Sequence, residues 1–384
     1  MKILFLEWPC YGAENWIREL ENQGYEVTHM KVPHMLDEDD MVFQNRLVER
    51  IKDKGYELLC TFNFLPMLSI IARNTNIRYL SWVYDSPLLT MYSVEVGSPN
   101  NYIFLFDRRQ YEEFRDKGIQ TVHYLPLAGV TGIEKDSTGY SSEVTFVGAL
   151  YQTYNLFDEI KYLPDRLKGY LEGIMEAQRR VYGYYMLPEL LSEELLGEIL
   201  KYIKMDLGDQ YWASYRDIFA SQFLAKKTAN LERESMLRYL AQYFRIYLYS
   251  NERLEVPNII NCGTVPYGAE MYKVFQRSKI NINSTLRCIQ TGINLRTMDI
   301  LSAGGFCLTN YQEELSSHFV IGKELEVYES ELDLLEKTAY YLEHEEEREE
   351  IARNGKKRIE ESHTYPMRVK EMMDIVCRGF AKSN

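Results

Sequence analysis

Between Asn283 and Thr309 the chain sets an arginine and a carboxylate three residues apart at the start of a helix-spaced pattern. A polar loop leaves a strand, helical spacing begins near Ile293, and Gly304-Gly305 close the helix ahead of another apolar run. The first turn of a helix carries unpaired N–H groups and partial positive charge. Arg296 falls in that turn, where a cation is unfavourable unless an anion sits beside it. Arg296 and the free N–H groups are therefore a candidate diphosphate cradle. Asp299 lies one turn further on, on or near the same face, with two oxygens suited to a ribose diol. A plainer reading competes: Asp299 as an early-turn residue, Arg296 reaching a surface carboxylate, and the two glycines as a C-cap.

Two further acids stand where strands end. Asp85, in Tyr84-Asp85-Ser86-Pro87, follows an apolar run and suits a general base that takes a proton from a hydroxyl. A turn-forming Asp before Ser-Pro is the alternative. Glu7, beside Trp8, Pro9 and Gly12, is the rival base. His29, His34 and His123 have no partner that the sequence identifies. The six cysteines show no C-x-x-C spacing, so neither a zinc site nor a disulfide framework is expected.

These residues need a scaffold, and the first 125 positions supply an alternating one. Strands are expected at 2–6, 25–30, 56–61, 78–84, 102–106 and 121–125, with helices at 13–23, 40–54, 66–73 and 108–117. Apolar strands separated by helices indicate a parallel sheet covered on both faces, a Rossmann-like half. A polar linker, 131–142, leads to a new strand at 143–148. From 155 to 242 Leu and Tyr recur at helical spacing, and a helical insertion is expected there. Alternation then resumes to about 328, followed by helices at 331–343 and 345–361 and an amphipathic tail at 364–380. The expected division is 1–130, 143–362 and a C-terminal helix, 363–384, that packs back on the first domain.

At 384 residues the chain suits two or three domains of roughly 150 residues. Apolar residues at 46% and charged residues at 26% exclude a disordered or fibrous protein. A net charge of −13 makes nucleic acid and anionic lipid unfavourable partners. Thirty-one Tyr against 16 Phe suit clefts, self-association or glycan contacts as well as cores. No stretch approaches 18 apolar residues and no signal peptide precedes the first strand, so a cytoplasmic protein without a membrane span is expected.

The segment Thr291-Gly292-Ile293-Asn294-Leu295-Arg296-Thr297-Met298-Asp299-Ile300-Leu301-Ser302-Ala303-Gly304-Gly305 resembles the E-G-x-N-x-R-x-x-E-A-x-A-C-G-G run of family-1-like bacterial glycosyltransferases, including the CgeB-type spore maturation group. NCGTVPYGAEMYKVFQRSKININ (261–283) and YLEHEEEREEIARNGKKRI (341–359) resemble the same family's donor-side loop and charged helix. SWVYDSPLL (81–89), NYIFLFDR (101–108), HYLPLA (123–128), VTFVGALY (144–151) and LKGYLEGIMEAQRRVYGY (167–184) extend the likeness over nearly the whole chain.

The resemblance implies an α/β GT-B fold: two Rossmann-like domains facing across a cleft, acceptor on the first and nucleotide sugar on the second. It implies transfer of a sugar from a nucleoside-diphosphate sugar, UDP-sugar favoured, to a glycan, protein or small-molecule hydroxyl, with no tightly bound cofactor and no metal. Carried over, Asn294, Arg296 and the helix N–H groups meet the diphosphate and Asp299 the ribose. Thr264 lies near the base with Tyr267 and Glu270 close by, and Gly148 lets backbone approach the donor. Related retaining enzymes carry two Glu eight positions apart; here Thr291 and Asp299 occupy those places, and Thr supplies no charge. An epimerase or hydrolase of the same fold, or a catalytically silent binding protein, are the alternatives.

Overall fold

A computed structural model describes residues 1–32, 40–153, 155–206 and 208–382. The strands follow the alternation closely. In the first unit they are β1 (Lys2–Glu7), β2 (Glu26–Lys31), β3 (Leu58–Phe62), β4 (Arg78–Val83), β5 (Asn101–Leu105) and β6 (Val122–Tyr124). Helices α1 (Ala13–Asn22), α2 (Met41–Lys54), α3 (Pro66–Thr75) and α4 (Arg108–Asp116) connect them. The sheet is parallel in the order β2-β1-β3-β4-β5-β6. Its central strand β3, LLCTF, is buried along its whole length, which is why it reads as a continuous apolar run. The order reverses between β1 and β3, and the carboxyl ends flanking such a switch point are where open α/β sheets hold ligands.

The second unit holds β7 (Ser142–Val147), α5 (Asp165–Arg180), α6 (Glu193–Ile199), α7 (Tyr215–Ile218), α8 (Ala225–Leu240), β8 (Ile246–Tyr249) and β9 (Ile259–Asn261). It continues with α9 (Ala269–Gln276), β10 (Ser278–Asn283), α10 (Leu295–Ala303), β11 (Cys307–Asn310), α11 (Leu315–His318) and β12 (Glu326–Tyr328). Helices α12 (Glu331–Glu343) and α13 (Glu345–Ser362) complete it. The sheet is again parallel and six-stranded, in the order β12-β11-β10-β7-β8-β9. Its switch point lies between β7 and β10. Val144, Phe146, Ile246, Leu248, Ile280 and Ile282 bury one face in the core.

The final helix α14 (Tyr365–Lys382) belongs to the first unit. Tyr365 Oη lies 3.1 Å from Tyr84 Oη, and Arg368 Nε donates to Pro126 O at 2.9 Å. A side chain at Gly12, whose φ is +88°, would meet Tyr365 Oη at 2.5 Å, so the entry to α1 stays bare where α14 docks.

The run 155–242 contains more loop than its spacing implies. Its helices α5 to α8 include a π-helical turn, Phe219–Leu224, and enclose a small core of their own around Leu171, Met175, Leu187 and Phe219. Residues 208–213 leave this subdomain and join the first unit. There Trp212 packs against Tyr92, tilted, and Phe114, edge to face, at centroid distances of 5.0 and 5.5 Å, while its backbone N–H donates to Tyr92 O at 2.9 Å. The apolar partner for that indole is distant in sequence, so helical spacing could not anticipate the excursion.

Candidate functional site

In the second unit the segment after β10 is mounted on a buried polar hub. Asn283 Nδ2 reaches Thr309 Oγ1 at 2.9 Å and both Asn294 Oδ1 and Thr297 Oγ1 at 3.1 Å. Asn294 is the N-cap of α10: its Oδ1 accepts from Thr297 N at 3.1 Å and from Thr297 Oγ1 at 2.8 Å. A fully bonded network of this kind fixes a helix start more firmly than any exposed cap. The side chain of Asn294 is therefore committed to aiming the helix. At the other end Gly304, φ +78°, is the left-handed cap, with its N–H on Leu301 O at 2.9 Å. The two glycines serve helix termination and close packing.

Arg296 and Asp299 meet as the spacing predicts, with Arg296 Nη1 at 3.3 Å from Asp299 Oδ2. Tyr267 Oη donates to the other oxygen, Asp299 Oδ1, at 3.0 Å. The guanidinium also touches Met271 Sδ and lies over the Phe275 ring at 5.5 Å. Asp299 is buried, and burial pushes its carboxyl up to about 7, outweighing the attraction of Arg296 and the Tyr267 hydrogen bond. The group thus changes charge near neutrality.

The remaining donor-side candidates are Thr264, Glu270 and Gly148. Thr264 is exposed in the loop after β9. Glu270, in the first turn of α9, is exposed and paired with Lys273 at 2.8 Å. Gly148 follows β7 and donates its N–H to Tyr249 O at 3.0 Å. A Cβ there would meet nothing closer than the Phe146 ring at 3.4 Å, so the chain's own packing barely restricts the position.

Three residues of this region were not foreseen. Arg233, in the middle of α8, is buried and bridges the switch point: Nη1 donates to Ala149 O at 2.6 Å, Nη2 to Ser284 O. Its Nε has no hydrogen-bond partner among the described residues, and its guanidinium lies over the Tyr151 ring at 4.9 Å. Arg287 makes a bidentate pair with Glu232, 3.1 and 2.8 Å, both side chains buried. Glu314 accepts from Thr291 Oγ1 at 2.6 Å. A buried carboxylate from the segment after β11 therefore stands beside the hydroxyl where related retaining enzymes carry Glu. No motif announces these residues; only the sheet topology brings them to the loops after β7, β10 and β11.

In the first unit Asp85 is exposed at the end of β4. Asn63, at φ +56° after β3, aims it: Nδ2 donates to Asp85 Oδ2 at 2.6 Å while Oδ1 accepts from the N–H of Tyr84 at 2.8 Å. Glu7 is not alone, since its Oε2 pairs with His29 Nε2 across β1 and β2. The partner that the sequence does not identify for His29 comes from this register, which makes residues distant in sequence neighbours on adjacent strands. His123 stacks on Phe104 at 5.2 Å, and burial, helped by Arg115, pushes it down to about 4. It is a neutral packing residue. His34 lies outside the described residues.

Among the described residues no group of three or more His, Cys, Asp or Glu is placed to hold a metal ion, and no helix is long and apolar enough to cross a membrane.

Residues 232–374 match the glycosyl transferase-like family. No curated protein sequence matches the chain. Among solved structures it is similar to sucrose-phosphate synthase from Thermosynechococcus elongatus, with 9% identity, a TM-score of 0.55 and all of both chains covered. A glycosyltransferase from Rickettsia africae aligns over 99% of this chain and 98% of its own, with 10% identity and a TM-score of 0.53. HepE of Anabaena, solved with UDP and glucose, aligns over 98% and 100% with 9% identity and a TM-score of 0.53. The chain thus has the two-sheet fold of these structures, and its residues 232–374 are similar to the glycosyl transferase-like family.

Proposed function

We propose that the protein moves a sugar from a nucleoside-diphosphate sugar, UDP-sugar favoured, to a hydroxyl of a glycan, protein or small molecule. The observation that carries this reading is the buried Asp299 held between Tyr267 and Arg296 at the start of α10. Arg296 and the free N–H groups of the first turn stabilise the leaving diphosphate, where negative charge develops in the transition state. Asp299 takes the ribose diol, with Thr264, Tyr267 and Glu270 on the base side. Gly148 and the loops tied by Arg233 border the diphosphate. HepE, solved with UDP-glucose as well, supports the choice of uridine nucleotide.

Asp85, aimed by Asn63, is the proposed base for the acceptor hydroxyl, and the Glu7–His29 pair is its rival. Glu314 supplies the carboxylate that Thr291 cannot. The run Thr291–Gly305 favours the CgeB-type group within the class, and six free cysteines suit a reducing, cytoplasmic setting.

Calorimetry with UDP, GDP, TDP and CMP and their common sugar conjugates, with and without Mg²⁺, tests the donor assignment. One nucleotide should bind in the micromolar range. Absence of binding by every member at about 10 mM contradicts it.

A further inference from the structure

A polar pocket of about 500 Å³ opens at the amino ends of the second unit's strands, the opposite edge of that sheet from the loops after β7, β10 and β11. Its floor is a row across four adjacent strand starts. Ser278 pairs with Ser142 and Ile280 with Val144, which sets Lys279 beside Glu143. Val144 pairs with Ile246, which sets Glu143 beside Arg245, and Ile246 N donates to Asn258 O at 2.8 Å. Neighbours in this row are about 4.8 Å apart. Because side chains alternate, Lys279, Glu143, Arg245 and Tyr247 share the face turned away from the core formed by Val144, Ile246 and Ile280.

The chemistry of this row is unusual for a surface. The side chains of Lys279, Glu143 and Arg245 make no hydrogen bond or ion pair among the described residues, although opposite charges stand on adjacent strands. Asn258 donates its Nδ2 to Ala241 O at 2.9 Å, which leaves Oδ1 as an acceptor. Tyr243, 59% exposed, and Tyr247 add ring faces. Flat aromatic faces beside planar polar side chains suit sugar rings, whose C–H faces are apolar and whose edges are hydroxyls. Two cations against one carboxylate, on a chain of net charge −13, favour a ligand that also carries negative charge. The pocket volume is that of a small-ligand site.

We propose that this pocket is a carbohydrate-binding site for an acidic pyranose oligosaccharide. Arg245 and Lys279 meet its carboxylates, Glu143 and Asn258 accept from its hydroxyls, and Tyr243 and Tyr247 carry its rings. Such a site would hold a glycan chain to the protein without touching the donor residues.

The test titrates the full chain calorimetrically with tetragalacturonate, a hyaluronan tetrasaccharide, cellotetraose and inorganic phosphate. At least one acidic oligosaccharide should bind at least about fivefold more tightly than cellotetraose and phosphate. Tyr243→Ala and Arg245→Ala should each weaken it by a similar factor, with melting temperature unchanged. No acidic binder at about 10 mM, equal affinity for phosphate, or wild-type affinity in both variants overturns the proposal. UDP-glucose titrated into the same samples reads the donor site separately, so failure of one assignment is distinguishable from failure of the other.

Discussion

The two units solve the same topological problem with opposite chemistry at their strand ends. At the carboxyl ends of the second sheet the polar residues are buried and bonded to one another: Asn283 to Asn294, Thr297 and Thr309, Arg233 to two loop carbonyls, Asp299 to Tyr267 and Arg296. At the same edge of the first sheet Asp85 stands exposed, held by a single neighbour, Asn63. Buried networks fix geometry, and they suit a ligand that is always the same, such as a nucleoside diphosphate. An exposed carboxylate on a short tether tolerates variation, which suits acceptors. The contrast makes separable demands on the two ends of the chain.

The largest expected effect breaks the comparison on its exposed side. Asp85→Asn should lower transfer by about 10²- to 10⁴-fold while UDP-glucose affinity stays at the wild-type level. Equal transfer rates would remove Asp85 as the base and bring Glu7 and His29 forward. On the buried side, Arg233→Ala strips two loop carbonyls of their donor and leaves a cavity. It should cost about 2–4 kcal/mol in denaturant unfolding, with donor affinity falling alongside. Unchanged stability would mean that the bridge at the switch point is incidental.

Asp299 sharpens the contrast through pH. Its carboxyl sits near 7 because it is buried. On the proposed role only the ionised form takes both ribose hydroxyls, so UDP-glucose affinity should rise by about tenfold between pH 6 and pH 8. The sugar nucleotide is the right probe, since its diphosphate does not titrate in that window. For folding the sign is reversed. The folded chain holds this proton more tightly than the unfolded chain, so stability falls as pH climbs from about 4 to about 7. Asp299→Asn should flatten both profiles and gain stability at pH 8. A smaller effect is expected for Tyr267→Phe, which removes one bond from the carboxylate and raises its pKa further. Affinity at pH 7 should drop by about three- to fivefold, with recovery at pH 8.5. A pH-independent loss would place Tyr267 against the ligand alone.

Much of this architecture was legible in the residues. Runs such as LLCTF at 58–62 admit little except a buried parallel strand, and the helices between them follow. Arg296 and Asp299 were legible as a pair because three residues on a helix is one turn. Asn294 was legible as a position and differs in role, because capping depends on Asn283, which arrives from the preceding strand. Arg233 and Glu314 were not legible at all. Each lies on an element without a motif: Arg233 reaches the loops after β7 and β10 from α8, and Glu314 meets Thr291 because β11 runs beside β10. The same holds for His29, whose partner Glu7 is fixed by the β1–β2 register, and for Trp212, which joins Tyr92 and Phe114 of its own unit from far along the chain.

The central assignment, that the start of α10 holds a nucleoside diphosphate, rests most directly on Arg296. Calorimetric titration of UDP-glucose into wild type and Arg296→Ala, with thermal melts of both, tests it. Affinity should fall by about a hundredfold in the variant while the melt stays cooperative, as expected for loss of a charge-assisted contact to phosphate. Equal affinity in the two proteins would contradict the assignment.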